Sequence, residues 1–225
     1  MRKPGLDNNV RYLQIAFNYG LGTVWQTLPR IPQSDRILIE AGTPFIKLEG
    51  MDGIRAIRKR WQGHIVADMK VTDDALGEVD MAYRASATAV NVLGNALSES
   101  IDLFIEQCAQ LNMLSMIDLL GVGDPLDILR PLHHSPDIIV IHRERDEEST
   151  QGKMIRYRQI TRIRSKYASL ISAAGGVDLR EARSAIFNGA NIVVANIVRP
   201  EDGWVGIKTT EDITQISREF LETIS

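Results

Sequence analysis

Short apolar runs along the chain alternate with longer stretches in which apolar residues recur at helical spacing, and the two kinds take turns eight times. The runs predict strands at Tyr12–Asn18, Ile37–Glu40, within His64–Asp73, and at Thr88–Leu93, Leu114–Asp118, Ile138–His142, Ser169–Ala174 and Ile192–Asn196. The helical patterns cover Val24–Leu28, cut short by Pro29 and Pro32, then Pro44–Trp61, Asp73–Ala85 with Asp73 or Thr72 as its cap, and Ser98–Leu111. Further helices are predicted from about Pro125, over Met154–Tyr167, over Asp178–Phe187 and over Glu211–Thr223. Most of the strand runs are continuously apolar, as strands buried on both faces are.

Strands that alternate with helices in this way pair in parallel, and eight of them select the closed (β/α)8 TIM barrel, a fold of about 250 residues. Residues 1–10 are polar, with Pro4 and Gly5, and are expected to form a flexible lead-in to a single barrel domain over 11–225. An open doubly wound sheet is the competing α/β architecture. It calls for a three-glycine phosphate fingerprint after the first strand, and neither Asn18-Tyr-Gly-Leu-Gly22 nor Gly121-Val-Gly-Asp124 supplies one.

Composition removes several classes of function. With 26 basic against 29 acidic residues and a formal charge of −3, the chain has no global basic footprint for nucleic acid. No apolar run reaches the roughly 18 residues of a membrane span, and the first residues lack the apolar core of a signal peptide. The lone Cys108 lies in an amphipathic helical stretch where it packs, which fits a reducing compartment. A cytoplasmic protein is expected.

Chemistry concentrates where the strands end, the face at which barrels of this kind carry their sites. The exits read Asn18, Glu40, Asp68 with Lys70, Asn91, Asp118, His142, Gly175-Gly176 and Asn196. In a strand, residues 68 and 70 share a face, and Asp73 can join them from the following turn. Lys70 between two acids stays protonated and suits the stabilisation of an oxyanion; the competing reading is an ion pair at a strand end. Glu40 and Asp68, on neighbouring strands, make an oxygen-rich pair suited to Mg²⁺, unless each merely pairs with a lysine. His142 is either a contact to substrate oxygens or a satisfied buried histidine. Gly175-Gly176 and the turn after the eighth strand lie where barrels bind phosphate through backbone N–H groups, although a tight turn uses glycine for geometry alone.

Six stretches together resemble one family. They are Ile39-Glu-Ala-Gly-Thr-Pro44 with Glu49-Gly50, Ala67-Asp-Met-Lys-Val-Thr-Asp73, Val92-Leu-Gly94, Ile117-Asp-Leu119, Ile141-His-Arg143 and Ala174-Gly-Gly176. The resemblance is to the hexulose-phosphate synthase and keto-gulonate-phosphate decarboxylase group of the orotidine-monophosphate decarboxylase superfamily, closest to the archaeal hexulose-phosphate synthases. It implies a homodimer of barrels with active sites at the shared interface, and a Mg²⁺-stabilised enediolate formed from a sugar phosphate. By match, Glu40 and Asp68 would hold the metal and Lys70 would face the enediolate. Asp73 would reach the partner's site, Asp118 and His142 would contact substrate, and Gly175-Gly176 would bind phosphate.

The chain departs from the family pattern at three places. Asn18 stands where the family has Asp. Ala195-Asn196 stands where it has glycine followed by Arg or Ser, so that a β-carbon crowds the phosphate and no arginine pairs with it. Arg143-Glu-Arg-Asp146 replaces a His-Arg-Gly or His-Thr-Gly pattern after the histidine, and Arg145 falls where the keto-gulonate enzymes carry an arginine. The expected reaction is hexulose-phosphate synthesis, the addition of formaldehyde to ribulose 5-phosphate or its reverse. The alternatives are a decarboxylase of a keto-sugar phosphate, or another phosphorylated substrate, and a barrel that has lost catalysis and binds only. Orotidine-monophosphate decarboxylation needs a second lysine where this chain has Glu40.

Overall fold

Eight strands pair in parallel and in sequence order: β1 (Tyr12–Phe17), β2 (Ile37–Ala41), β3 (Ile65–Val71), β4 (Ala89–Leu93), β5 (Leu114–Asp118), β6 (Ile138–His142), β7 (Leu170–Ala174) and β8 (Ile192–Val198). β8 returns to pair with β1, Tyr12 opposite Ile192 and Ala16 opposite Asn196, which closes the barrel. The computed structural model describes residues 5–143, 155 and 157–225. Around the barrel run α1 (Leu21–Thr27), α2 (Thr43–Arg58), α3 (Ala75–Arg84), α4 (Ser98–Gln110), α5 (Pro125–Leu129), α6 (Arg158–Arg164), α7 (Leu179–Phe187) and α8 (Ile213–Thr223). The (β/α)8 expectation is met, and the open sheet is excluded by the β1–β8 ladder.

Strand alternation sorts the core into two layers. Leu13, Ile15 and Phe17 of β1, with Val193 and Ala195 of β8, pack outward under the helices, against residues such as Phe45, Ile54 and Phe104. Tyr12, Ala16, Leu38, Val66, Met116 and Val194 belong to the inner set that fills the barrel. The parity of the inner positions runs on to the strand exits, where the polar side chains begin. Cys108 is buried, as its helical setting predicts. Among the described residues no helix is long and apolar enough to cross a membrane.

Local chemistry explains three of the helix starts. Asp124, Asp178 and Asp212 cap α5, α7 and α8, accepting from the backbone N–H of Leu126 at 3.0 Å, Glu181 at 2.7 Å and Gln215 at 3.1 Å. Pro44 stands in the first turn of α2. Gly50 breaks that helix with φ 61° and ψ −158°, which the predicted continuous helix misses. Neither Asp73 nor Thr72 caps α3, because Asp74, itself at φ 46°, occupies that position without a side-chain cap bond. A short strand, β9 (Ile207–Lys208), extends the ladder beyond β8 and is too brief to leave a pattern in the sequence. The helix predicted from Met154 is seen as α6; Met154 lies outside the described residues, and so does Arg145.

Candidate active site

The strand exits converge on one cavity of about 270 Å³, lined by residues that include Glu40, Asp68, Lys70, Asn91, Asp118 and His142. Lys70 is its centre. The Nζ of Lys70 lies 2.8 Å from Asp68 Oδ1 and also donates to Asp118 Oδ2. Asp118 is shared, since His142 Nδ1 lies 2.9 Å from the same oxygen and the Leu120 N–H donates to Asp118 Oδ1 at 3.0 Å. The acid that completes the lysine's setting is therefore Asp118, from β5, two strands away. Asp73 is exposed and does not line the cavity; its Oδ1 accepts from the Asp74 N–H at 2.9 Å.

The chain leaves β3 irregularly. The pairing of β3 with β4 shifts register between Ala67 and Val71, and Lys70 has a left-handed backbone at φ 54°. Asn91 on β4 receives this bulge: its Oδ1 accepts from the Lys70 N–H at 2.9 Å and its Nδ2 donates to Asp68 Oδ1. Thr43, at the start of α2, holds the other oxygen of Asp68 with its hydroxyl at 2.7 Å and its N–H at 3.2 Å. Gln14, one step deeper than Glu40 in the ladder, donates to Glu40 Oε2. Gln14 and Thr43 escape a reading of strand exits, because one sits mid-strand and the other opens a helix.

Burial and charge set the protonation of the cavity. Burial, reinforced by the negative charge of Asp68, pushes the Glu40 carboxyl up to about 7. Burial alone would lower Lys70, yet Asp68 and Asp118 outweigh it and hold the ammonium above the ordinary lysine value. Burial likewise opposes the charge on Asp118, but His142 and Lys70 hold its carboxyl well below the carboxylate range. His142 is raised because the attraction of Asp118 exceeds the cost of burying the ring.

Among the described residues no three His, Cys, Asp or Glu side chains group as a metal cage. The pair Glu40 and Asp68 nonetheless fits Mg²⁺, a hard cation usually held by one or two carboxylates together with water and substrate. Both face one cavity, close enough for mutual repulsion to register, and the Gln14 Oε1 beside Glu40 is buried without a partner.

On the far side, Asn18, Gly175 and Asn196 line the same cavity. The two departures from the family pattern meet here, because Asn18 Nδ2 donates to Asn196 Oδ1 at 3.0 Å. Ala195 does not crowd this cavity. Its side chain belongs to the outer layer, fully buried under the helices, as its strand parity requires. Gly176, at φ 62°, lies next to the lining residue Gly175, and its carbonyl accepts from Arg143 Nη2 at 3.3 Å. Gly175 has a geometric requirement of its own, with φ 101° and Arg143 Cβ 2.8 Å from where a Cβ would stand. Gly175→Ala is expected to destabilise the fold by at least about 1–3 kcal/mol for the backbone conformation alone. Urea unfolding at pH 7 measures this, and an unchanged midpoint would contradict the strain.

A closed parallel barrel with acids, a lysine and a histidine converging at the C-terminal mouth defines a TIM-barrel protein with an enzyme-type site. The chain belongs to the orotidine 5'-phosphate decarboxylase / HUMPS family, whose model matches residues 12–196. Among curated proteins it is similar to the bifunctional enzyme Fae/Hps of Methanothrix thermoacetophila, with 34% identity over 215 residues, 95% of this chain and 52% of the relative. The same-named enzyme of Methanoregula boonei shares 35% over 217 residues, 94% of this chain and 54% of the relative. The chain thus spans about half the length of the curated relatives it matches. Among solved structures, 3-hexulose-6-phosphate synthase from Salmonella typhimurium superposes with TM-score 0.82 at 22% identity, covering 95% of this chain and 98% of that one. For 3-keto-L-gulonate-6-phosphate decarboxylase from Vibrio cholerae the TM-score is 0.75 at 23% identity, covering 96% and 98%. At such identities these two likenesses establish the fold, and the family that the motifs resemble is borne out by the family match.

Proposed function

We propose that this chain is a Mg²⁺-dependent lyase that works on a sugar phosphate through an enediolate, with the reaction of 3-hexulose-6-phosphate synthase. The observation that carries the reading is the Lys70 ammonium held between Asp68 and Asp118 in the cavity that Glu40 also faces. Relatives support the choice of reaction: curated relatives of this chain are called Fae/Hps, and one solved structure with the same fold is a 3-hexulose-6-phosphate synthase.

In this reading Glu40 and Asp68 would hold the metal, which would supply Lewis-acid stabilisation of developing negative charge. Lys70, kept protonated by its two acids, donates to the oxygen that becomes negative as the enediolate forms. His142 directs Nδ1 at Asp118, so Nε2 is the ring atom left to move a proton at the reacting carbon. The enediolate carbon of ribulose 5-phosphate then attacks formaldehyde: a C–C bond forms as the carbonyl π bond opens, and the resulting alkoxide takes up the proton that His142 removed. Asn18 and Asp118 orient the sugar hydroxyls, and Arg145 is assigned to substrate from the resemblance. The turn Gly175-Gly176 takes the phosphate through backbone N–H groups; Ala195-Asn196, expected as a second such turn, lie within β8, where the Asn196 side chain faces the cavity.

A homodimer with sites at the shared interface is part of the proposal. Leu97, 72% exposed, and Leu76, 48% exposed, follow β4 and β3 beside the mouth and supply apolar surface for such a contact. Asp73 lies outside its own cavity, as a residue serving the neighbouring one must. Decarboxylation of a keto-sugar phosphate is the second reading. It forms the same enediolate by loss of CO₂ and is suggested by Arg145 in the sequence, whereas the Asn18–Asn196 contact at the family's usual Asp and Arg or Ser positions favours a related enzyme on another phosphorylated substrate.

Incubated with ribulose 5-phosphate, the protein is expected to consume formaldehyde when Mg²⁺ is present and to stop when EDTA is added. No consumption at high enzyme concentration removes the synthase, and CO₂ release from 3-keto-L-gulonate 6-phosphate under the same conditions selects the decarboxylase. A barrel that has lost catalysis yet binds would show neither, while its melting temperature would still rise with Mg²⁺ plus a pentulose phosphate.

A further inference from the structure

We infer that Asn91 is a positioning residue, the side chain that holds Lys70 and Asp68 in their working arrangement; this rests on Lys70 acting as proposed above. Two features converge on it. Lys70 is a lysine in the left-handed region, at φ 54°, in a strand whose ladder slips between Ala67 and Val71. Such a backbone is unfavourable for a residue with a β-carbon and persists only where its surroundings hold it. The side chain that bonds this backbone is an amide, while Asp68 and Asp118 hold the Nζ. Asn91, 4% exposed, accepts the Lys70 N–H at 2.9 Å with Oδ1 and donates to Asp68 Oδ1 with Nδ2.

The two bonds have opposite polarity, and a single primary amide supplies both. An aspartate at this place keeps the acceptor but sets a second negative charge against Asp68. An apolar residue loses both bonds and leaves the Lys70 N–H without its acceptor. The left-handed turn is also what aims the ammonium. A regular strand would carry residue 70 along the β3 ladder, whereas the bulge lets Nζ reach Asp118 on β5, two strands away in the barrel. The clamp therefore links a backbone irregularity to the placement of the charged group that faces substrate.

Asn91→Val keeps a strand-forming side chain of similar size and removes both bonds. It is expected to lower kcat by about 100-fold, the cost of a displacement near 1 Å at a reacting centre, with KM within about threefold. Asn91→Ala serves as the second variant should the valine fail to fold. In a Lys70→Ala background the same substitution is expected to cost at least about tenfold less in kcat/KM than in the parent, because one of the two groups it positions is gone and only Asp68 remains. An undiminished loss in that background, or a kcat within twofold of the parent in both single variants, overturns the inference. A crystal structure of Asn91→Val gives a readout free of the assigned reaction. Lys70 is expected to leave the left-handed region and its Nζ to leave Asp118; an unchanged Lys70 sinks the clamp even in a protein that shows no lyase activity. Failure of the parent protein in the formaldehyde assay, with Lys70 displaced in the variant, removes the reaction and leaves the clamp standing.

Discussion

Lys70→Met is expected to lower kcat by about 10²–10³-fold, the usual cost of deleting one preorganised donor to a developing oxyanion, while KM for the sugar phosphate changes little. The reasoning rests on when the interaction forms. The ammonium is held by Asp68 and Asp118 before substrate arrives; in the proposed reaction the charge it meets appears only as the enediolate forms, so its loss is expected to fall on kcat and kcat/KM together. Methionine keeps the length and apolar stem of lysine. Steady-state kinetics on formaldehyde consumption provide the measurement, and a KM rise with kcat intact would reassign Lys70 to ground-state binding. Lys70→Arg is expected to restore little, since a planar fork does not replace a compact ammonium between two carboxylates.

Asp118→Asn is expected to have the largest effect on stability. The side chain is 1% exposed, and its carboxylate is the common partner of Lys70 and His142. Breaking a buried pair by removing one member costs about 3–5 kcal/mol, because the remaining charges stay buried. For a chain of this length each kcal/mol lowers Tm by roughly 2–4 °C, so a fall on the order of 10 °C is expected.

The pH dependence identifies the cause. Asp118 is depressed in the folded protein, so its contribution is present above the unfolded value of about 3.9 and is lost as pH falls toward the folded one. His142 is raised, so its contribution is complete below the unfolded value of about 6.5 and is lost as pH rises through the folded one. The difference between parent and Asp118→Asn should therefore peak at about pH 5–6 and shrink in both directions. Urea unfolding at three pH values tests this. A difference that stays flat across the range would mean that the acid acts through packing rather than charge.

The barrel itself was legible because its signal is periodic and local. Eight apolar runs separated by helical stretches leave few architectures, and the exits of those runs name Glu40, Asp68, Asn91, Asp118, His142 and Asn196, which line the cavity. What stayed hidden is either irregular or non-local. The turn taken by Lys70 depends on a bulge that no residue type announces, so Asp73 appeared to be its neighbour and Asp118 did not. That β5 comes within reach of β3 past the intervening β4 is a property of the assembled sheet, not of the β5 sequence. Gln14 has the inward parity of Asn18, and that shared face was the available signal; inside an apolar run it reads as an isolated polar residue. Ala195 carries the opposite parity, which alone would have taken its β-carbon away from the phosphate side.

The β1–β8 ladder has a consequence for biosynthesis. β1 emerges from the ribosome first among the strands, but one of its two neighbours is not made until Ile192–Val198 follows. A nascent chain that has reached Phe187 holds β1 and β7 as two unsatisfied edges of a curved sheet, and such edges template aggregation. Chaperone demand during translation of this protein should thus be greatest just before the final inner strand leaves the exit tunnel.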